Sequence, residues 1–247
     1  MIEIKLLDRF NLKGFTFLEG FPGAGLVGPM AISYIIEKQK MQYIGSIESD
    51  DFPPLIAIHG DKPMPPIRLY MNDKMKIMTV LAEFAIPLEL TYELSKKMYN
   101  FLDTNGIAKI VSINGIPASQ QDIEGEVVFA IASNDTLLKE AAKAGMKPVG
   151  EGVSTGVSAL MMLFSTQSKM ADINVLIPVN PAILDPKYAE LAIASLNKLL
   201  KLNVDIEELD KEAKTVESKL RDLLKRSKDM QDAHKRAIDQ AGPPTYA

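Results

Sequence analysis

The sequence predicts an α/β layered sandwich built on a mixed sheet, followed by a long amphipathic C-terminal helix and a short flexible tail. Three observations carry this. Short apolar runs alternate with helical periodicities through the first 204 residues, the pattern of strands layered with helices. Two of those runs flank the polar turn Met71-Asn72-Asp73-Lys74, a hairpin signal that brings antiparallel pairing into the sheet. From Asp185 onward apolar residues recur only at threes and fours, without further strand signals.

IEIKLL opens the chain as a strand and FTFLEG follows as a second. The glycine-rich GFPGAGLVG then turns into a helix from about Pro29 to Lys40, with proline suited to a first helical turn. YIGSIES, PLIAIHG, PIRLYMN and KIMTVLAEF read as four strands. LELTYELSKKMYNFLDTNG has helical spacing and ends at Gly106. IAKIVSINGI is an apolar strand running into a loop at Pro117, and VVFAIAS is another strand. NDTLLKEAAKAG is a short helix capped by Asn134 or Asp135 and stopped by Gly145. GEGVSTGVSALMMLFSTQSKM passes from a glycine-rich turn into an apolar helix, ADINVLIPVN is the last strand, and DPKYAELAIASLNKLLKL is one amphipathic helix. The organisation expected is a body over 1–204, a coiled-coil-like helical segment over 205–241 and a tail over 242–247.

Composition bounds the function. A net charge of -4 gives no support for nucleic-acid binding, which needs clustered basic charge. No apolar run approaches the roughly 18–20 residues that span a bilayer, and MIEIKLLDRF lacks the apolar core of an export signal. Neither nucleic acid nor membrane is an expected partner, and the cytoplasm is the expected location. With no cysteine and only His59 and His234, a thiolate nucleophile and a histidine-rich metal cluster are excluded. His59 closes an apolar run and reads as a partly buried strand-end residue; His234 lies in the charged helical segment.

Gly23, Gly25 and Gly28 fall in the order G-x-G-x-x-G, and Glu48 stands 20 residues after Gly28, the spacing of a dinucleotide site. The continuation defeats that reading. Pro53, Pro54, Pro63, Pro65 and Pro66 leave no room for a crossover helix, and the carboxylate of Glu19 would repel a phosphate. The glycines are read as structural, permitting close strand–helix packing, and no cofactor is expected. Ser112, Asn114, Ser119, Ser154 and Thr155 are placed in two loops that would face each other across the sheet edge around a small polar ligand. Glu48, Asp50 and Asp51 are read as solvated charges. No nucleophile–base pair emerges from the spacing, and no catalytic residue is assigned.

Between Asp205 and Ala241 stand 10 acidic and 9 basic residues. Through them Ile206, Leu209, Ala213, Val216, Leu220 and Leu223 step by alternating threes and fours, the register of a coiled-coil seam. The stripe fits either a helix laid on its own domain or self-association. The dense charge on both flanks favours a homo-oligomer.

GFPGAGLVG, SIESDDFPPLIAIHG, NGIPAS and GEGVSTGVSALMMLF, taken together, resemble the archaeal branch of the proteasome assembly chaperone 2 family. The resemblance implies a three-layer α/β/α sandwich like that of nucleoside phosphorylases, and an ATP-independent, non-enzymatic binding protein whose partner is the α-subunits of the proteasome core particle. It also implies a role for the end of the chain, Thr245-Tyr246-Ala247. Some members end in a hydrophobic residue, a tyrosine and any residue, and dock that end between α-ring subunits; Thr245 departs from this pattern. The competing expectation is a small-molecule, nucleoside-like binding protein or enzyme on the same scaffold.

Overall fold

The computed structural model describes residues 1–206 and Leu209. Along these residues run β1 (Glu3–Leu6), β2 (Thr16–Glu19), a 3-10 turn (Ala24–Leu26), α1 (Val27–Lys38), β3 (Gln42–Glu48), β4 (Ala57–His59), β5 (Lys62–Met64), β6 (Ile67–Asn72) and β7 (Ile77–Ala82). There follow α2 (Leu88–Thr104), β8 (Lys109–Pro117), α3 (Gln120–Glu124), β9 (Phe129–Ala132), α4 (Asp135–Lys143), β10 (Lys147–Pro148), α5 (Val157–Ser168), β11 (Ala171–Val179) and α6 (Pro186–Leu200).

Nine strands form one sheet in the order β1-β3-β6-β7-β2-β8-β11-β9-β10. The central strands β7, β2, β8 and β11 are parallel neighbours. β1–β3, β3–β6, β6–β7 and β11–β9 are antiparallel, so the sheet is mixed, as the hairpin at Asn72 requires. The centre is covered on both faces, which explains why β7 and β11 read as nearly continuous apolar runs. The edges are different. β1 alternates and exposes Lys5, and β10 ends on Pro148, which lacks a ladder donor.

Alternate residues of each strand feed two cores. Val111, Ile113 and Val175 pack under α1, α4 and α6 with Ile35, Leu137, Ile193 and Leu196. Phe17 and Ile110 pack under α2 and α5 with Leu94, Met98 and Met161. The result is the three-layer α/β/α sandwich. Local signals set the helix ends: Asn134 accepts from the Leu137 amide at 3.0 Å, and Asp185 accepts from that of Lys187 at 3.0 Å. Gly106 and Gly145 adopt φ of 69° and 92° after α2 and α4, conformations that suit glycine at a helix C-terminus.

Three local expectations are corrected. PLIAIHG does not join the main sheet; its end pairs with Lys62–Met64 in the separate hairpin β4–β5. Pro63, Pro65 and Pro66 lack the N–H donors a central strand needs. Helix α1 starts at Val27, so Pro29 is its third residue, still among the amides with no helical acceptor. Residues after Pro117 form α3, capped by Ser119, rather than plain loop.

Beyond α6 the chain turns back on itself. Asn197 donates to the Val204 carbonyl at 2.8 Å and accepts from its amide at 2.9 Å. Tyr34 donates to the Asp205 carbonyl at 2.8 Å. Leu209 is buried in the α1/α6 core with Ile206 packed against it, so the first two residues of the apolar stripe rest on their own chain. Ala213, Val216, Leu220 and Leu223, and the tail Thr245, Tyr246 and Ala247, lie outside the described residues.

Candidate functional site

β2 and β8 lie side by side at the middle of the sheet. The chain leaves β2 toward β3 on one side and leaves β8 toward β9 and β11 on the other, so their carboxyl ends form a topological switch point, where open α/β sheets bind ligands. Here the crevice is closed by the protein's own backbone. A Cβ on Gly28 would stand 2.7 Å from Gly20 Cα and 2.8 Å from the Ile113 carbonyl oxygen. One on Gly115 would stand 2.0 Å from the Ala24 carbonyl oxygen. Gly25, with φ of 65°, is pressed against Val179 and Tyr188, whereas Gly23 is exposed and has nothing closer than 3.9 Å to a notional Cβ. Gly25 and Gly28 therefore pack strand against helix where a pyrophosphate would have to enter. Gly23 shares the spacing without the steric requirement.

The opposite face of the same strands carries polar groups under α5. Cross-strand register places Glu19 beside Ser112 and Ser112 beside Asn174, and Asn114 and Asp172 share that face. Ser158, in the first turn of α5, reaches down so that its Oγ is 2.5 Å from Glu19 Oε1, 3.1 Å from Oε2 and 3.2 Å from Asn114 Oδ1. Asn114 Nδ2 donates to Asn174 Oδ1 at 2.6 Å. Near the other end of α5, Ser165 donates to Asp172 Oδ2 at 2.9 Å. Burial pushes Glu19 up to about 7, aided by the charge of Asp172 and opposed by the Ser158 and Ser112 hydroxyls. Burial likewise pushes Asp172 up to about 7, opposed by Ser165. Ser112 lies close enough to favour the charged form of Glu19, yet its hydroxyl completes no well-formed hydrogen bond; Asp172 Oδ1 and Asn174 Nδ2 also lack a protein partner.

This corrects the expected pair of facing loops. Ser112 and Asn114 belong to β8 and turn inward, Ser119 caps α3, and Ser154 and Thr155 are exposed before α5. The residue that meets Asn114 is Ser158, inside the helix. Glu48 is paired with Lys5 at 2.6 Å, and Asp51 with the N-terminal amine at 3.1 Å.

A second cluster joins the β4–β5 hairpin to the sheet. Arg68 is fully buried and donates from Nη1 to Glu83 Oε2 at 3.0 Å, from Nη1 to the Pro65 carbonyl at 2.7 Å and from Nε to Tyr70 at 2.8 Å. His59 Nε2 lies 2.6 Å from Glu83 Oε1 and 2.9 Å from Arg68 Nη2. Burial would raise the Glu83 carboxyl, but the bonds to His59 and Arg68 outweigh it and hold Glu83 below its usual range. His59 ends β4, as its place in PLIAIH predicts, while its partners come from β6 and the end of β7, 9 and 24 residues further along the chain. The available signal was one arginine inside PIRLYMN and one glutamate at the end of KIMTVLAEF.

Among the described residues no cluster of metal-binding side chains occurs, and no helix is long and apolar enough to cross a membrane. The geometry is thus of polar groups bonded mainly to one another beside a closed switch point, with Ser112 Oγ, Asp172 Oδ1 and Asn174 Nδ2 left without a protein partner. Comparison with known proteins agrees with the architecture. The sequence profile of the PAC2 family matches residues 17–224. The chain belongs to the PAC2 family. Its fold matches the crystal structure of Pyrococcus furiosus PbaA, an archaeal homolog of proteasome-assembly chaperone, at 28% identity, with 94% of this chain and 100% of that chain covered and a TM-score of 0.81. A protein of unknown function from Thermoplasma acidophilum matches at 26% identity, 91% and 92% coverage and a TM-score of 0.83. An uncharacterised protein of Methanocaldococcus jannaschii is 29% identical over 218 residues, 87% of each chain.

Proposed function

We propose that this protein is a non-enzymatic, ATP-independent chaperone or adaptor for the proteasome core particle. The observation that carries the reading is the full-length correspondence with PbaA, which spans 94% of this chain and all of the other, within a family match over 17–224. The contact proposed is with the α-ring, made in part by Thr245, Tyr246 and Ala247. Pro243 and Pro244 bias that end toward an extended form, which lowers the entropy lost on docking. Tyr246 supplies a ring and a hydroxyl, and the terminal carboxylate pairs with a partner's lysine. Several tails on one homo-oligomer compensate for Thr245 standing in place of a hydrophobic residue.

Surface-immobilised α-rings test this directly. The full-length protein should bind, and Tyr246→Ala or removal of Thr245 to Ala247 should abolish binding with an unchanged circular dichroism spectrum. Equal binding by intact and truncated proteins would move the contact to the α/β body. No binding by either would sink the proteasome reading.

A further inference from the structure

Helix α5, Val157–Ser168, has no titratable side chain of its own. Two buried carboxyl groups nevertheless lie beneath it, one under each end. Its first turn meets Glu19 through Ser158, and its last meets Asp172 through Ser165. Both carboxyls are 0% exposed, and their bonds run to hydroxyls, not to a cation.

The geometry around Ser158 depends on a proton. One hydroxyl hydrogen cannot serve both Glu19 Oε1 at 2.5 Å and Asn114 Oδ1 at 3.2 Å. With Glu19 protonated the conflict disappears. Its O–H donates to Ser158, Ser158 donates to Asn114 Oδ1, and Asn114 Nδ2 donates to Asn174 Oδ1 at 2.6 Å, so every hydrogen runs one way. When Glu19 loses its proton to solvent, Ser158 must turn its hydrogen back to the carboxylate, and Asn114 Oδ1 loses its donor. An ionised Asp172 then adds a second negative charge to the same unneutralised layer, which burial makes costly.

We propose that α5 is a proton-controlled latch, seated on the sheet while Glu19 and Asp172 are protonated and loosened from its first turn when both ionise. Their displacement to about 7 puts the change near neutrality. The loop before α5 moves with it, carrying Val153, 94% exposed, and so does Leu163 on the outer face. The latch thereby alters an exposed apolar surface.

Tyr92, Tyr99 and Lys96 face or flank α5 from α2, and Glu151 and Lys169 lie in the chain on either side of it. All five are untouched in the variant Glu19→Gln/Asp172→Asn, which isolates the two carboxyls. Hydrogen exchange of the full chain, corrected for the intrinsic pH dependence of amide exchange, reads the latch with α1 as internal reference. In the wild type, protection of α5 relative to α1 should fall about tenfold or more between about pH 6 and pH 8, one pK unit on the free-energy scale. In the double variant the ratio should stay constant. A constant ratio in the wild type, or an equal fall in the variant, overturns the proposal. Should the variant not fold, infrared spectroscopy of the wild type decides: loss of protonated-carboxyl absorption must accompany the loss of α5 protection, and either change without the other refutes the latch.

Discussion

Gly20 and Gly28, at the end of β2 and in the first turn of α1, touch backbone to backbone: a Cβ on either would lie 2.7 Å from the other's Cα or carbonyl carbon. The contact leaves no space for even one methyl group. Gly28→Ala should therefore destabilise the protein by roughly 1–3 kcal/mol or more, the range of overpacked cores that must shift backbone. Gly23→Ala, at the exposed position of the same motif, should change stability by less than about 1 kcal/mol. Urea unfolding of both variants checks this, and equal effects would refute the steric account.

Arg68 and Glu83 give a second expectation. Glu83→Ala leaves a buried guanidinium without its carboxylate, at a cost of about 3–5 kcal/mol. His59→Ala removes a partner from the rim, at a cost of roughly 1 kcal/mol. Thermal denaturation should separate the two clearly. A larger effect at His59 would mean that the hairpin, not the ion pair, holds this region.

Stability should also decline as pH rises toward neutrality. The folded chain holds the Glu19 and Asp172 protons up to about 7, against ordinary values of 4.5 and 3.8. Folding is therefore favoured most below about pH 4, and that advantage is lost as pH climbs through about 7, by at most roughly 3 kcal/mol for Glu19 and roughly 4 kcal/mol for Asp172. Glu48 and Glu83, held below their ordinary values, have the opposite sign and act in the acid range. Chemical denaturation at about pH 5 and about pH 7.5 measures the slope; Glu19→Gln should flatten it, and an unchanged slope would remove Glu19 from the account.

With Ile206 and Leu209 packed on their own chain, the rest of the apolar stripe, Ala213, Val216, Leu220 and Leu223, is what predicts a homo-oligomer. Sedimentation velocity should find an assembly larger than a dimer, which Leu220→Asp weakens. A wild-type monomer would mean that Val216, Leu220 and Leu223 are covered by their own chain, as Leu209 is.

The layers were legible because continuous apolar runs such as IMTVLA and helical spacing such as that of α2 are local properties. So was the cap at Asn134. The buried polar seam was not. Ser158 and Glu19 are 139 residues apart in the chain, and only the parallel pairing of β2, β8 and β11 brings them together. Ser112 and Asn114 fall inside the apolar strand run IAKIVSINGI, but two polar side chains there read as a loop facing solvent; their burial follows from neighbours supplied later in the chain. The hairpin β4–β5 was half legible. Its residues read as extended, while its exclusion from the main sheet rests on prolines whose missing amides matter only once a partner strand is specified.

The position of β2 has a consequence for synthesis. This strand is made among the first twenty residues, yet it ends between β7 and β8. On the ribosome, β1, β3, β6 and β7 with α1 and α2 are complete by residue 104, and β2 has then gained only one of its two neighbours. Its other side stays an open edge until β8 emerges, and β8 in turn waits for β11, more than fifty residues later. The nascent chain thus carries an adhesive apolar margin through the middle of its translation, the period in which pairing with another chain is easiest.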